Sequence, residues 1–352
     1  MLLFAINIML SQTHHCCKIA FQIAHKMMLS HLPKVFVLRP IPPQHLQKLK
    51  ENCNVLVYEG EDNPSKETFI RAIPGADALI IVPPAPINKE TLDIIGPQLK
   101  VVATASVGLD HIDLEECRKR GVKVGYTPDV LNDAVAEITV ALTLATARRF
   151  EEAFQAVRSG TWGKQWDNGL WLTGKQLAGS VIGIVGLGRI GFATAKRLAA
   201  FEPSRIVYTG SSPKDYAKQI RADFLTFDEL LKVSDFVIAT CSINASSKGM
   251  FGIEAFKKMK TSAIFINVTR GALVDQDALY EALSTNQIAA AGLDVSTPEP
   301  LPPDHKLLTL KNFVLLPHLG SATIPTRTAM FELTVDNILA GLNGLPLPSP
   351  AF

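Results

Sequence analysis

The chain of 352 residues has no arginine before Arg39 and no acidic residue before Glu51. It is also poor in cysteine, with five in all (Cys16, Cys17, Cys53, Cys117 and Cys241). An odd count, scattered without a C-x-x-C pair, fits a reduced, intracellular protein. Excess charge is missing too: 35 basic residues against 33 acidic ones leave +2, with no basic stripe to bind nucleic acid. The apolar start, residues 1–10, lacks the basic flank of a secretory signal and is too short to span a bilayer, so no membrane partner is expected. A mitochondrial presequence would be acid-poor, as here, but would carry arginine. Residues 1–32 are therefore expected to lie outside the folded core, as an extension ahead of an alternative start at Met27 or Met28. A cytoplasmic protein is expected, with mitochondrial import as the second reading. His14, His15, Cys16 and Cys17 are adjacent pairs without finger spacing, so no metal site is expected.

What is present is a long alternation of strands and helices. Apolar runs beginning at Lys34, Asn54, Ala78, Leu99 and Val122 read as strands, with helical segments near 45–52, 66–73 and 89–95 between them. Asp113 and Glu116 have capping-box spacing, and Gly121 closes that helix. Alternation of this kind means βαβ units and a parallel sheet, so residues 34 to about 130 form one α/β domain. A long helix is predicted from Asn132 to about Phe154, apolar nearly all round between Ile138 and Ala147 and hence buried on several sides. A loop with Trp162, Trp166 and Trp171 follows, then a second series of strands at 181–185, 205–209, 235–240, 263–268, 290–295 and 313–317. A last helix is predicted from about Ile324 to Leu342. At 47% hydrophobic residues the chain has ample material for two cores.

The strand at 181–185 runs into Gly186-x-Gly188-x-x-Gly191, with Arg189 and Ile190 inside the turn and an amphipathic helix beyond. The first glycine permits the tight turn, the second lets the backbone approach a pyrophosphate, and the third lets the helix pack on its strand. The helix also aims free N–H groups and its positive dipole end at the phosphate. This context marks a dinucleotide site. NAD sites place an acid about 20 residues on, to hold the ribose 2′-hydroxyl. Here the second strand ends on Thr209, followed by Ser211, Ser212 and Lys214. Nothing there repels a 2′-phosphate, so NADPH is the expected cofactor and NADH the alternative.

Three polar residues follow strand ends, where parallel-sheet enzymes build their sites: Arg270, Glu299 and His318. Reduction of a 2-keto acid calls for this set. A histidine supplies the proton to the growing alkoxide, a carboxylate favours its charged form, and an arginine fork holds the substrate carboxylate. Taken singly, each of the three is as readily a structural or surface residue.

The segments 127–131, 186–191, 265–271, 291–295 and 317–323 resemble the D-isomer-specific 2-hydroxyacid dehydrogenases, from about residue 34 to the C-terminus. The likeness is strongest to the animal glyoxylate/hydroxypyruvate reductase branch, through 207–210 and 298–302. It implies an α/β fold of two doubly wound parallel-sheet domains: a Rossmann domain (132–322) inserted into a flavodoxin-like substrate domain (33–131 with 323–352). It further implies His318 as proton donor, Glu299 as its partner and Arg270 as substrate anchor. Ser106, Val107 and Gly108 would offer N–H groups to the substrate carboxylate. Asp294 would meet the nicotinamide carboxamide, while Val268, Ser242 and Gly320 would lie along the cofactor. The helix from Asn132 and the tryptophan loop resemble the family's dimer contact, so a homodimer is expected. One departure stands out: that branch has an arginine after Tyr-Thr-Gly to take the 2′-phosphate, and this chain has Ser211. Within the family, formate dehydrogenases carry glutamine in place of Glu299, and the long phosphoglycerate dehydrogenases need a further domain. A corepressor-like nicotinamide sensor keeps the same trio but carries an acid where this chain has Thr209.

Overall fold

A computed structural model describes residues 32–60, 65–83, 85–164 and 169–352. The expected extension thus lies, up to residue 31, outside the described residues, as do its histidine and cysteine pairs and Trp166. The described chain forms two compact units. The first ends at Pro128 and resumes over Thr328–Phe352; the second is Asp129–Arg327.

The first unit is built on five parallel strands, β1 (Lys34–Val37), β2 (Asn54–Val57), β3 (Ala78–Ile81), β4 (Val101–Thr104) and β5 (Lys123–Gly125), in the order β2-β1-β3-β4-β5. The continuous apolar character of β1, β3 and β4 follows from burial on both faces, while the edge strand β2 exposes Asn54 and Leu56. Val35, Val37, Val101 and Ala103 face one core, which Val335 and Ile338 of the final helix complete. Phe36, Leu79, Val102 and Val124, the alternate residues, face the other. Helices α1 (Pro43–Lys50), α2 (Lys66–Ala72), α3 (Lys89–Ile95) and α4 (Leu114–Lys119) connect the strands. At α4 only half of the expected capping box forms: the Asp113 carboxylate accepts from Glu116 N–H at 2.9 Å. The Glu116 carboxylate turns instead to Arg120 at 2.7 Å. A guanidinium fork outcompetes a single backbone N–H for it.

The second unit holds seven parallel strands: β6 (Val181–Val185), β7 (Arg205–Thr209), β8 (Ala222–Phe224), β9 (Phe236–Ala239), β10 (Ile264–Asn267), β11 (Ala290–Leu293) and β12 (Phe313–Leu315). Their order is β12-β11-β10-β9-β6-β7-β8, so the winding reverses between β6 and β9. That switch point is where open parallel sheets take ligands. Strand β8 was not foreseen. It is only three residues long and lies at the sheet edge, with Asp223 and Phe224 exposed and no apolar run to announce it.

The expected single helix from Asn132 to Phe154 is two helices, α5 (Asn132–Ala147) and α6 (Phe150–Arg158). Arg149 breaks it in a left-handed conformation, φ 56°, and its guanidinium clasps Glu152 at 2.7 and 2.8 Å. The returning chain supplies the reason: Lys175 N–H donates to the Ala147 carbonyl at 2.9 Å, occupying a helix end that would otherwise continue. Helix α5 is buried along Ala134, Val135, Ala136, Thr139, Leu142, Thr143 and Thr146. It packs on α7 (Arg189–Ala199) and on strands β10 to β12, which explains its apolar girth. The remaining helices are α8 (Phe227–Val233), α9 (Ile253–Lys258), α10 (Gln276–Ser284) and α11 (Ile324–Leu342). The chain passes back into the first unit within α11. Among the described residues no helix is long and apolar enough to cross a membrane.

Candidate active site

Adjacent strands β10, β11 and β12 end side by side, and their C-terminal turns bring Arg270, Asp294, Glu299 and His318 together in the second unit. His318 follows β12 with φ 55°, and its backbone N–H donates to the Asp294 carbonyl at 3.0 Å. The buried Asp294 carboxylate then accepts from Leu319 N–H at 2.7 Å and Gly320 N–H at 2.8 Å. Asp294 therefore folds the turn that presents His318, a role its sequence position alone does not reveal. Burial pushes its carboxyl above the ordinary range, against the pull of the Leu319 N–H, the His318 charge and the Gly320 N–H.

His318 Nδ1 hydrogen bonds to Glu299 Oε1, and Ser296 N–H reaches Glu299 Oε2 at 3.4 Å. The 295–300 loop carrying Glu299 is pinned by Gln276, whose Nε2 donates to the Thr297 carbonyl at 2.7 Å while its Oε1 accepts from Thr297 N–H at 2.8 Å. Burial raises the Glu299 carboxyl, but the His318 hydrogen bond, the His318 and Arg270 charges and the Ser296 N–H outweigh it. The net position is below the usual carboxylate range. Glu299 is thus ionised at neutral pH. A cavity of about 200 Å³ opens beside the pair, lined by Ser296, Pro300, Leu301 and Leu315 among others.

Arg270 follows β10 and opens a tight turn over Gly271–Leu273. The fully buried Asn267 shapes this turn: its Oδ1 accepts from the Thr269 N–H and hydroxyl, each at 3.1 Å, and its Nδ2 donates to the Arg270 carbonyl at 2.9 Å. Arg270 Nη1 donates to the Thr269 carbonyl at 2.8 Å. Val268 is buried between them.

The glycine turn lies at the switch point. Gly186 has φ 100°, and a Cβ there would stand 2.6 Å from Cys241 backbone atoms. At Gly191 a Cβ would stand 2.2 Å from the Gly186 carbonyl and 2.7 Å from the Thr240 hydroxyl. At Gly188, which caps α7 without a side-chain hydrogen bond, a Cβ would meet nothing within 4 Å. The turn is therefore closed on the sheet side and open in front of the helix N-terminus, a shape that fits the diphosphate of a dinucleotide. Arg189, the first residue of α7, pairs with Asp129 at 2.8 Å, and Ile190 follows it in the first helical turn.

Past β7, whose last residue Thr209 is buried, Ser211 and Ser212 are exposed. Lys214 Nζ donates to the Ser212 hydroxyl at 3.2 Å, and Lys214 N–H donates to the Tyr208 hydroxyl at 2.7 Å. The Tyr216 hydroxyl in turn donates to the Leu187 carbonyl at 2.6 Å, fastening this segment to the glycine turn. Neither tyrosine is marked by the fingerprint. Ser242 is exposed past β9, its carbonyl accepting from Ser247. Cys241 beside it is pushed up by burial to about 11, so its thiol stays protonated.

The first unit carries Ser106, Val107 and Gly108 in the turn after β4. Among the described residues nothing accepts from their three backbone N–H groups.

Residues 140–320 match the family model described as D-isomer specific 2-hydroxyacid dehydrogenase, NAD binding domain. The chain belongs to the D-isomer-specific 2-hydroxyacid dehydrogenases, and it is an oxidoreductase that binds NAD(P). It is 46% identical to human glyoxylate reductase/hydroxypyruvate reductase over 321 residues, 90% of this chain and 97% of the human protein. It is likewise 46% identical to the glyoxylate reductase of Thermofilum pendens, over 89% of this chain and 92% of that one. Among solved structures, a Thermus thermophilus protein superposes with TM-score 0.84 at 42% identity, covering 91% of this chain and all of that one. The NADPH-dependent glyoxylate/hydroxypyruvate reductase of Sinorhizobium meliloti, in complex with NADP and malonate, gives TM-score 0.78 at 31% identity, covering 91% and 96%. A corepressor function finds no support among these relatives.

Proposed function

We propose that the protein reduces glyoxylate and hydroxypyruvate to glycolate and D-glycerate, with NADPH preferred over NADH. The observation that carries this reading is the His318–Glu299 pair. With Nδ1 held by an ionised carboxylate, the imidazole keeps Nε2–H as its outward donor, poised to protonate an alkoxide. When bound, the reduced nicotinamide supplies the hydride to the carbonyl carbon.

The residues do the rest. Arg270 holds the substrate carboxylate and polarises the carbonyl, and its charge sits near enough to Glu299 to lower that carboxyl as well. The N–H groups of Ser106, Val107 and Gly108 take the carboxylate oxygens, as successive unpaired amides do for anions. Gly186, Gly188, Arg189, Ile190 and Gly191 hold the diphosphate, Val268, Ser242 and Gly320 lie along the cofactor, and Asp294 meets the carboxamide. Thr209, Ser211, Ser212 and Lys214 receive the 2′-phosphate. Because Lys214 offers a point charge where an arginine would offer a fork, the preference for NADPH is modest. The malonate and NADP bound by the Sinorhizobium enzyme agree with a short carboxylate substrate and a phosphorylated cofactor.

The reading includes a homodimer in the cytoplasm. Phe150, Phe154 and Val157 of α6 are exposed, as are Trp162 and Leu170 beyond it, an apolar strip too large for a lone solvated helix. A solution mass of twice the 38.2 kDa chain is expected by light scattering; a single-chain mass removes the dimer from the reading. For the activity, purified protein should oxidise NADPH on addition of glyoxylate. His318→Ala should lower turnover about a hundredfold or more with cofactor binding intact. No turnover by the wild type, or near-normal turnover by His318→Ala, overturns the reading.

A further inference from the structure

We propose that His111, Thr104 and Ser106 form a one-way hydrogen-bond relay that sets the Ser106–Gly108 turn to receive the substrate carboxylate. This makes His111 and Thr104 positioning residues, and it rests on the reading of that turn as the carboxylate site.

Thr104 is the last residue of β4 and fully buried; Ser106, two residues on, points to the same side of the extended chain. The Ser106 hydroxyl donates to the Gly108 carbonyl at 2.8 Å. A hydroxyl has one hydrogen. Toward Thr104, 2.9 Å away, Ser106 can therefore only accept, and the Thr104 hydrogen is spent on Ser106. Thr104 must then accept from His111 Nε2 at 3.1 Å. The direction is fixed throughout, from His111 Nε2–H through Thr104 and Ser106 to the Gly108 carbonyl, and such chains strengthen each member.

Backbone bonds hold the turn from its flanks, where Ile112 N–H also donates to the Leu109 carbonyl at 2.9 Å. Thr127 N–H donates to the Ser106 carbonyl at 3.0 Å, and Ile87 N–H donates to the His111 carbonyl at 2.9 Å. Between those clamps, the Ser106–Gly108 bond spans the stretch whose amides face no acceptor among the described residues. Without the relay the Ser106 hydroxyl is free to rotate, and the Gly108 peptide loses the contact that orients it. A relay that merely satisfied buried hydroxyls would affect stability alone. A positioning relay must show in affinity for the keto acid.

Kinetics of the full chain test this, with KM for glyoxylate, Ki for oxalate as an unreactive carboxylate, and KM for NADPH. Thr104→Val and His111→Leu should raise the first two about five- to tenfold, the scale of one oriented hydrogen bond, leaving kcat and KM for NADPH near wild type. Thr104→Ser, which keeps the hydroxyl, and His111→Gln, which keeps an N–H donor, should restore them. Unchanged glyoxylate and oxalate constants in Thr104→Val, or a Thr104→Ser as impaired as Thr104→Val, overturn the relay. Should Thr104→Val fail to fold, Ser106→Ala at the far end is judged by the same constants. Val107→Pro removes one of the amides directly. If it weakens oxalate while the relay variants do not, the relay alone falls. If Val107→Pro is silent as well, the turn is not the carboxylate site.

Discussion

The Gly186–Gly191 turn and the Ser106–Gly108 turn are built in opposite ways. The Gly186–Gly191 turn is shaped by what cannot be there: a Cβ at Gly186 or Gly191 would run into backbone 2.6 or 2.2 Å away. The Ser106–Gly108 turn is shaped by what is there, a chain of hydroxyls leading back to His111. The first is followed at once by α7, whose dipole adds to the attraction for a phosphate; the second precedes an irregular stretch and relies on its amides. Steric exclusion demands one residue type and so leaves a written pattern. Hydrogen bonding can be met by several residue types and leaves none. A turn held by packing should also fail completely when altered, and a turn held by hydrogen bonds should fail by degrees.

The largest effect that sharpens this contrast belongs to Gly191→Ala. Its new methyl would stand 2.2 Å from the Gly186 carbonyl, so the protein should lose several degrees of thermal stability or fail to accumulate. A Tm equal to wild type would mean that the turn is looser than its packing implies. Gly188→Ala is the counterpart: the added Cβ meets no protein atom within 4 Å. Its melting temperature should be unchanged while KM for NADPH rises roughly tenfold, because the methyl occupies the approach of the diphosphate. KM for glyoxylate should not move; if it does, the two turns do not serve separate anions.

Thr209→Asp comes next in size. On the proposed reading it places a carboxylate beside the 2′-phosphate and offers a partner to the ribose hydroxyl, so the ratio of kcat/KM for NADPH over NADH should cross below one. A wild-type ratio already below one, or a ratio indifferent to the change, removes Thr209 and its neighbours from the phosphate site. The smallest shift concerns proton transfer alone. On the proposed mechanism reduction draws its proton from His318. Glu299, held below its usual range, is its charged partner at neutral pH. Glu299→Gln withdraws that charge, so the alkaline limit of kcat for reduction should move to lower pH. An unmoved limit would leave Glu299 with only a structural part in the 295–300 loop.

By itself the sequence determined both parallel sheets, all of their strands but β8, and the place of the dinucleotide turn. Each depends on local rules: continuous apolar runs for strands buried on both faces, and glycines where a side chain has no room. Arg270, Glu299 and His318 were legible as residues past strand ends, since a parallel sheet opens its ligand sites on that side. Their assembly was not. Only the adjacency of β10, β11 and β12 sets the three turns side by side, and only the folded chain shows Asp294 and Gln276 holding the His318 and Glu299 loops. The break at Arg149 and the edge strand β8 were decided the same way, the first by Lys175 bonding to the end of α5 and the second by pairing with β7. Those contacts join residues 16 to 28 positions apart, a separation that local propensity does not register.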